Sequence, residues 1–171
     1  MTMNTKERAA GLVIGKVTGN RDPDGLGRIQ VNYPFLDQPE ERWISMAAPM
    51  AGANTGFFAM PEVNDEVVVA FHHGMWDDPV AIAMLWNPVQ PPPSSDPRQR
   101  IWRSKNGHAV RMLDPDPASG NRGALIIEDG HGNTIVMTNG HLSITAVGRL
   151  SITAADMSLQ GRLVRPVGGP I

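Results

Sequence analysis

The sequence predicts an all-β fold, a small barrel followed by a repetitive strand-rich half, and three observations predict it. Eighteen Gly and 15 Pro among 171 residues, with only 5% aromatics, describe many short strands and turns around a core of Val, Ile, Leu, Met and Ala. Between turn signals the apolar residues recur with a period of two and not of 3.6. From His141 an eight-residue pattern repeats, His141-Leu-Ser-Ile-Thr-Ala-Val-Gly148 and then Arg149-Leu-Ser-Ile-Thr-Ala-Ala-Asp156, the mark of a stacked architecture.

The bulk numbers exclude several classes of function. Fifteen basic and 17 acidic residues give a net charge of -2, so no strong field draws the chain to nucleic acid or an anionic membrane. The absence of cysteine removes disulfide frameworks, thiolate zinc sites and cysteine nucleophiles together. Residues 1–10 read as a polar tail, and no apolar run approaches the ~20 residues of a membrane span. A soluble chain outside the general export pathway is therefore expected.

Each element follows in order. Residues 11–87 read as a barrel. Gly11-Leu-Val-Ile-Gly-Lys-Val is a strand, Asp22-Pro-Asp-Gly-Leu-Gly27 a turn, and Arg28-Ile-Gln-Val-Asn-Tyr33 an alternating return strand. A strand is expected over Arg42–Ala48, then a loop of small residues to Gly56. The acidic break Pro61–Glu66 precedes Val67–Phe71, an apolar run suited to a strand buried on both faces. Pro79–Trp86 supplies the last strand. Five or six strands in about 75 residues is the size of an OB-like barrel.

Residues 88–100, rich in proline, read as an extended linker lacking backbone donors. Residues 101–171 open with Ile101–Lys105 and His108–Met112 around Asn106-Gly107, the strongest short hairpin signal. Leu125–Glu128 and Thr134–Thr138 then flank Asp129–Gly132, and Asn139-Gly140 turns into the repeat. Short strands with two large apolar side chains each cannot bury a face alone, and one chain offers few of them. If several copies wind together, Leu142, Ile144, Leu150, Ile152, Met157 and Leu159 point to a shared axis while Ser and Thr face water. Closure would also remove exposed edges. A single-chain sandwich or β-helix is the alternative that patterning alone leaves open.

Taken as an ordered set, Gly11–Val17, Asp24-Gly-Leu-Gly-Arg-Ile-Gln-Val31, Pro61–Val69, Ser104–His108, Ile127–Asp129 and Gly132–Ile135 resemble the baseplate assembly protein V and VgrG-type central spike family of contractile phage tails and injection systems. The resemblance covers nearly the whole chain after Gly11. It implies an OB-fold barrel followed by an intertwined trimeric β-helix, and a homotrimer located in a virion or injection-particle baseplate assembled in the bacterial cytoplasm. It also implies a hub protein on the OB side and a PAAR-type tip at the carboxyl-terminal end. Two features of the larger relatives are expected to be missing, the amino-terminal hub domain and any hydrolase insertion.

Chemistry finds little support. Glu128 and Asp129 are adjacent, so on a strand they face opposite ways. Glu62, Asp65 and Glu66 sit in a loop where acids commonly cap and solvate. No Gly-x-Ser-x-Gly, phosphate-binding loop or His-Glu-x-x-His is present, and no catalytic residue or cofactor is expected. A threefold axis turns one histidine per chain into three converging ligands, which singles out His131 or His141 for an axial metal; a solvated turn is the commoner role. The rival class is a single-stranded nucleic-acid-binding OB module, with Arg28, Tyr33, Phe35, Arg42 and Trp43 as its platform. Against it stand the acidic balance and the carboxyl-terminal repeats.

Overall fold

A computed structural model describes residues 11–36, 40–120 and 122–156. Among these residues the fold is all-β, with a single 3-10 turn at His72–Gly74, and the chain divides into two compact units between Pro92 and Pro93.

The first unit is a closed five-stranded barrel. Its strands are β1 (Val13–Gly19), β2 (Arg28–Asn32), β3 (Glu41–Met46), β6 (Glu66–Phe71) and β7 (Pro79–Leu85); two-residue strands β4 (Ala51–Gly52) and β5 (Thr55–Gly56) make a small hairpin after β3. The barrel order is β1-β2-β3-β7-β6. Every pairing is antiparallel except β3 with β7, which is parallel. Alternation sends Val17, Ile29, Val31, Ile44, Val67, Val69 and Ala81 into the interior, where each is essentially free of water. The run Val67–Phe71 departs from expectation. Val67, Val69 and Phe71 are buried, but Glu66, Val68 and Ala70 are only half-buried, because a barrel strand turns one face to the interior and the other outward.

One end of the barrel is closed by aromatics. Tyr33 lies 5.1 Å from Trp76, which stacks on Phe71 at 4.7 Å, and burial pushes the Tyr33 phenol up to about 12. The β1–β2 loop is organised by one carboxylate. Asp22 accepts the backbone N–H groups of Asp24 (3.1 Å), Leu26 (2.9 Å) and Arg28 (3.1 Å), and takes a guanidinium bond from Arg28 at 2.7 Å. That explains the Asp-Pro-Asp-Gly-Leu-Gly spelling, since Gly25 and Gly27 hold φ of 67° and 72° where L side chains are disfavoured. Asn87–Gln90, which joins the barrel segment to the stretch expected as linker, forms a reciprocal backbone turn, and the Gln90 amide donates to Asp65 at 2.8 Å.

The second unit is a five-stranded antiparallel meander of β8 (Gln99–Arg103), β9 (Ala109–Leu113), β10 (Ala124–Glu128), β11 (Thr134–Thr138) and β12 (His141–Thr145). β8 begins inside the segment expected as linker. The turn after β10 is built on Asp129, whose carboxylate accepts the N–H of His131 (2.8 Å) and the Asn133 side-chain amide (2.6 Å).

Four loop carboxylates, Asp22, Asp96, Asp116 and Asp129, sit below their ordinary value of 3.8. The Arg28 guanidinium beside Asp22 holds it well below the carboxylate range, Arg98 holds Asp96 at about 2, and the Asn133 amide holds Asp129 at about 2. Each depressed group stabilises the fold above its unfolded value and loses that contribution as pH falls through the folded one. Melting temperature is therefore expected to be flat down to about pH 5 and to fall steadily between about pH 4 and 2, read by circular dichroism. A melting temperature at pH 2.5 equal to that at neutrality would contradict these loop contacts.

Candidate assembly interface

In an antiparallel sheet, residues directly opposite one another share a face. The registers of the second unit therefore run in continuous rows. Trp102, Val110, Ile127, Ile135 and Ile144 form one row across all five strands. Two residues along, Arg100, Met112, Leu125, Met137 and Leu142 form a second row on the same face. Nine of these ten side chains are apolar, and Arg100 at the edge turns to Asp114 (3.1 Å).

The other face is mixed. Arg103, Ala109, Glu128, Thr134 and Thr145 form one of its rows, and Ile101, Arg111, Ile126, Val136 and Ser143 another. Arg111 binds Glu128 across it at 2.7 Å.

A single sheet has nothing to bury its apolar face against. Among the described residues Ala109 is the one member of this unit in the buried apolar core. Trp102, Leu142 and Ile144 remain 59%, 65% and 52% exposed. Two rows of large apolar side chains on a sheet that no second layer of its own unit covers among the described residues form a patch of the kind that marks a protein contact.

Of the six residues assigned to a shared core, Leu142 and Ile144 lie on this face. Leu150 and Ile152 follow β12 in residues that form no strand and are exposed, while Met157 and Leu159 lie outside the described residues. Trp102, Val110, Met112, Leu125, Ile127, Ile135 and Met137 complete the face and were not singled out from the sequence. The signal was there as alternation within each strand, but its phase is joined only through the hairpin turns.

Other candidates resolve differently. His141 sits opposite Thr138, on the face away from Leu142 and Ile144, so it points away from any axis those residues line. His131 is in the Asp129 turn, 6.2 Å from the His108 ring, and the His108 Nδ1 accepts the Gly130 N–H at 3.3 Å. No group of three His, Asp or Glu side chains among the described residues is placed to hold a metal. Three of the five residues of the nucleic-acid platform are engaged elsewhere, while Phe35 is exposed and Trp43 half-buried. Tyr33 is inside the barrel, Arg28 is committed to Asp22 and Asp24, and Arg42 is committed to Glu40 and Asp77. Glu62 and Asp65 form a turn in which the Asp65 carboxylate accepts the Glu62 N–H at 2.8 Å.

Comparison with known proteins gives the barrel its relatives. Residues 13–86 match the type VI secretion system/phage-baseplate injector OB domain. The chain is 29% identical over 94 residues to the type VI secretion system spike protein VgrG2a of Pseudomonas aeruginosa, covering 52% of this chain and 11% of that protein. It is 26% identical over 82 residues to the actin cross-linking toxin VgrG1 of Vibrio cholerae, covering 45% of this chain and 8% of the toxin. The matched stretch thus spans about a tenth of the curated relatives' length. The barrel, residues 13–86, is therefore similar to the injector OB domains of type VI secretion systems and phage baseplates, and the similarity is shown for that stretch of the chain.

Proposed function

We propose that this chain is the structural subunit of a central spike in a phage-like baseplate or type VI injection machine, working as a homotrimer. The observation that supports it most is the uncovered face of β8–β12. Three copies would turn those faces to a common axis, and each would supply the missing layer to its neighbours. The repeat from His141 onward would continue the same contact as an intertwined β-helix, with Leu150, Ile152, Met157 and Leu159 following Leu142 and Ile144 to the axis.

The role is mechanical and not enzymatic. Contraction drives a narrow trimer against the target envelope, and interlocked ladders must break together for it to deform, which gives resistance to heat and detergent. The barrel side meets a hub protein, and the carboxyl-terminal end carries a PAAR-type tip. No cofactor is required; an axial metal would fall to His131 and not to His141, whose face is turned away. Relatives bearing the words spike protein support the assignment, as does the consumption of Tyr33, Arg28 and Arg42 within the barrel, which weakens the nucleic-acid alternative.

Light scattering tests this directly. The full chain is expected to run at three times its 18.5 kDa mass, and a chain ending at Asn87 is expected to be a monomer. A full-length monomer would remove the spike reading.

A further inference from the structure

β7 is joined to its two neighbours unequally. On one side it pairs with β6 along its whole length, from Pro79 opposite Phe71 to Leu85 opposite Glu66. On the other it meets β3 only at Ser45↔Val80 and Met46↔Ala81, with one more bond from the Ala47 N–H to the Ala81 carbonyl at 2.8 Å. Past Ala81 no strand lies on that side among the described residues. The bulge opposite Val68 and Val69 makes Ile82 the extra residue, and Ile82–Leu85 is left as a strand edge within an otherwise closed barrel.

Alternate residues of an antiparallel strand direct their N–H and C=O groups to opposite sides. A stretch paired only toward β6 therefore keeps backbone groups turned to the seam. A groove follows that seam, walled by β7 on one side and the β4–β5 hairpin segment on the other. Met46, Met50, Phe57, Phe58 and Met60 line it with Met84, and no charged residue contributes to its lining. Met84 lies opposite the buried Val67, yet it is 46% exposed because the seam is open there; Phe58 is 79% exposed. On the outer side Ala83 lies opposite Val68, which lies opposite the exposed Ile14.

We infer that this seam is a strand-addition site, taking an extended, uncharged segment of another polypeptide with apolar side chains at alternate positions. The free edge supplies a ladder, and the groove supplies contacts for every second side chain, the two components of recognition by strand addition. A helix is the wrong occupant, since its backbone groups are spent internally. A charged segment would be desolvated against a lining with no opposite charge. Every residue involved belongs to the barrel, so the inference stands apart from the trimer reading.

The test is fluorescence anisotropy on the full chain with a labelled, acetylated and amidated octapeptide alternating valine with serine or threonine. Three derivatives accompany it: glutamate at the valine positions, backbone N-methyl groups at the valines, and N-methyl groups at the hydroxyl residues. The parent is expected to bind below about 100 µM, and the glutamate form to bind at least about tenfold more weakly. One N-methylated form, and not the other, is expected to lose about tenfold, because only one edge of the added strand faces β7. Phe58→Glu and Met84→Glu should each weaken the parent by about tenfold; Phe58 is exposed, so its variant keeps the fold if Met84→Glu does not, as circular dichroism will record. The inference is overturned if the parent shows no binding at about 1 mM, if both N-methylated forms bind like the parent, or if folded Phe58→Glu binds undiminished. Concentration-dependent self-association abolished by Phe58→Glu would assign the seam to a second copy and would also overturn it.

Discussion

Ile127→Asp is expected to abolish the proposed trimer, leaving particles of the single-chain mass of 18.5 kDa in light scattering at micromolar concentration. Ile127 is the central member of the row Trp102, Val110, Ile127, Ile135 and Ile144, so a carboxylate there would be carried to the axis three times. Removing an ion from water without a partner costs several kcal/mol, and each ~1.4 kcal/mol is a factor of ten in an assembly constant. The adjacent residue provides the control. Ile126 lies on the opposite, mixed face, half-buried and directly across from Arg111, where an added carboxylate has a cation beside it that it shares with Glu128. Ile126→Asp is therefore expected to remain trimeric. The reverse outcome, a trimer for Ile127→Asp and a monomer for Ile126→Asp, would show that the other face is inward.

The same pair of neighbours explains how much of this protein was legible in its sequence. Ile126 and Ile127 stand in one apolar run, Leu125–Ile127, and nothing local says which of them faces a partner. The phase is fixed by pairing through the turns at Asn106-Gly107, Asp129–Gly132 and Asn139-Gly140, and a shift of one residue would exchange the faces. Leu142 and Ile144 were legible because the repeat alternates cleanly with Ser and Thr. Trp102 and Met112 were not, because Arg100, Arg103 and Arg111 interrupt the pattern around them. In the barrel, the hairpin around Asp22–Gly27 was legible because its geometry is set by short-range bonds to one carboxylate. Val67–Phe71 misled, since a valine-rich strand reads as buried on both faces even where Val68 looks outward. The open seam beside Ile82–Leu85 had no local signature at all. It arises because β3 and β7, separated by more than thirty residues, run parallel and overlap over two pairs only. Leu150 and Ile152 repeat the spelling of Leu142 and Ile144 without forming a strand, so the repeat alone does not fix where their side chains go.

The barrel carries the second large effect. Gly15→Val is expected to lower the melting temperature of the barrel by roughly 10–20 °C, measured by calorimetry on the chain ending at Asn87. Gly15 is buried on β1 opposite Val67. A Cβ there would lie 2.3 Å from the Val31 Cγ1 and 3.5 Å from the Val69 Cγ2. The first distance is far inside van der Waals contact, and Val31 cannot retreat, because Val17, Ile29, Val67 and Val69 fill the rest of the interior. Overpacking of this kind costs about 1–3 kcal/mol, and each kcal/mol moves the midpoint of a domain this size by about 4–8 °C. Gly15→Ala should fall less, since it adds one carbon where valine adds three. A Gly15→Val barrel melting at or above the parent would mean that the interior is not closed by the β1-β2 and β1-β6 pairings. The residues that would hold three copies together all lie after Pro92, so full-length Gly15→Val should still run as a trimer while its barrel melts early. Ile127→Asp should do the opposite, keeping the barrel transition and losing the trimer. Only a chain in which barrel stability and assembly reside in different residues gives both results.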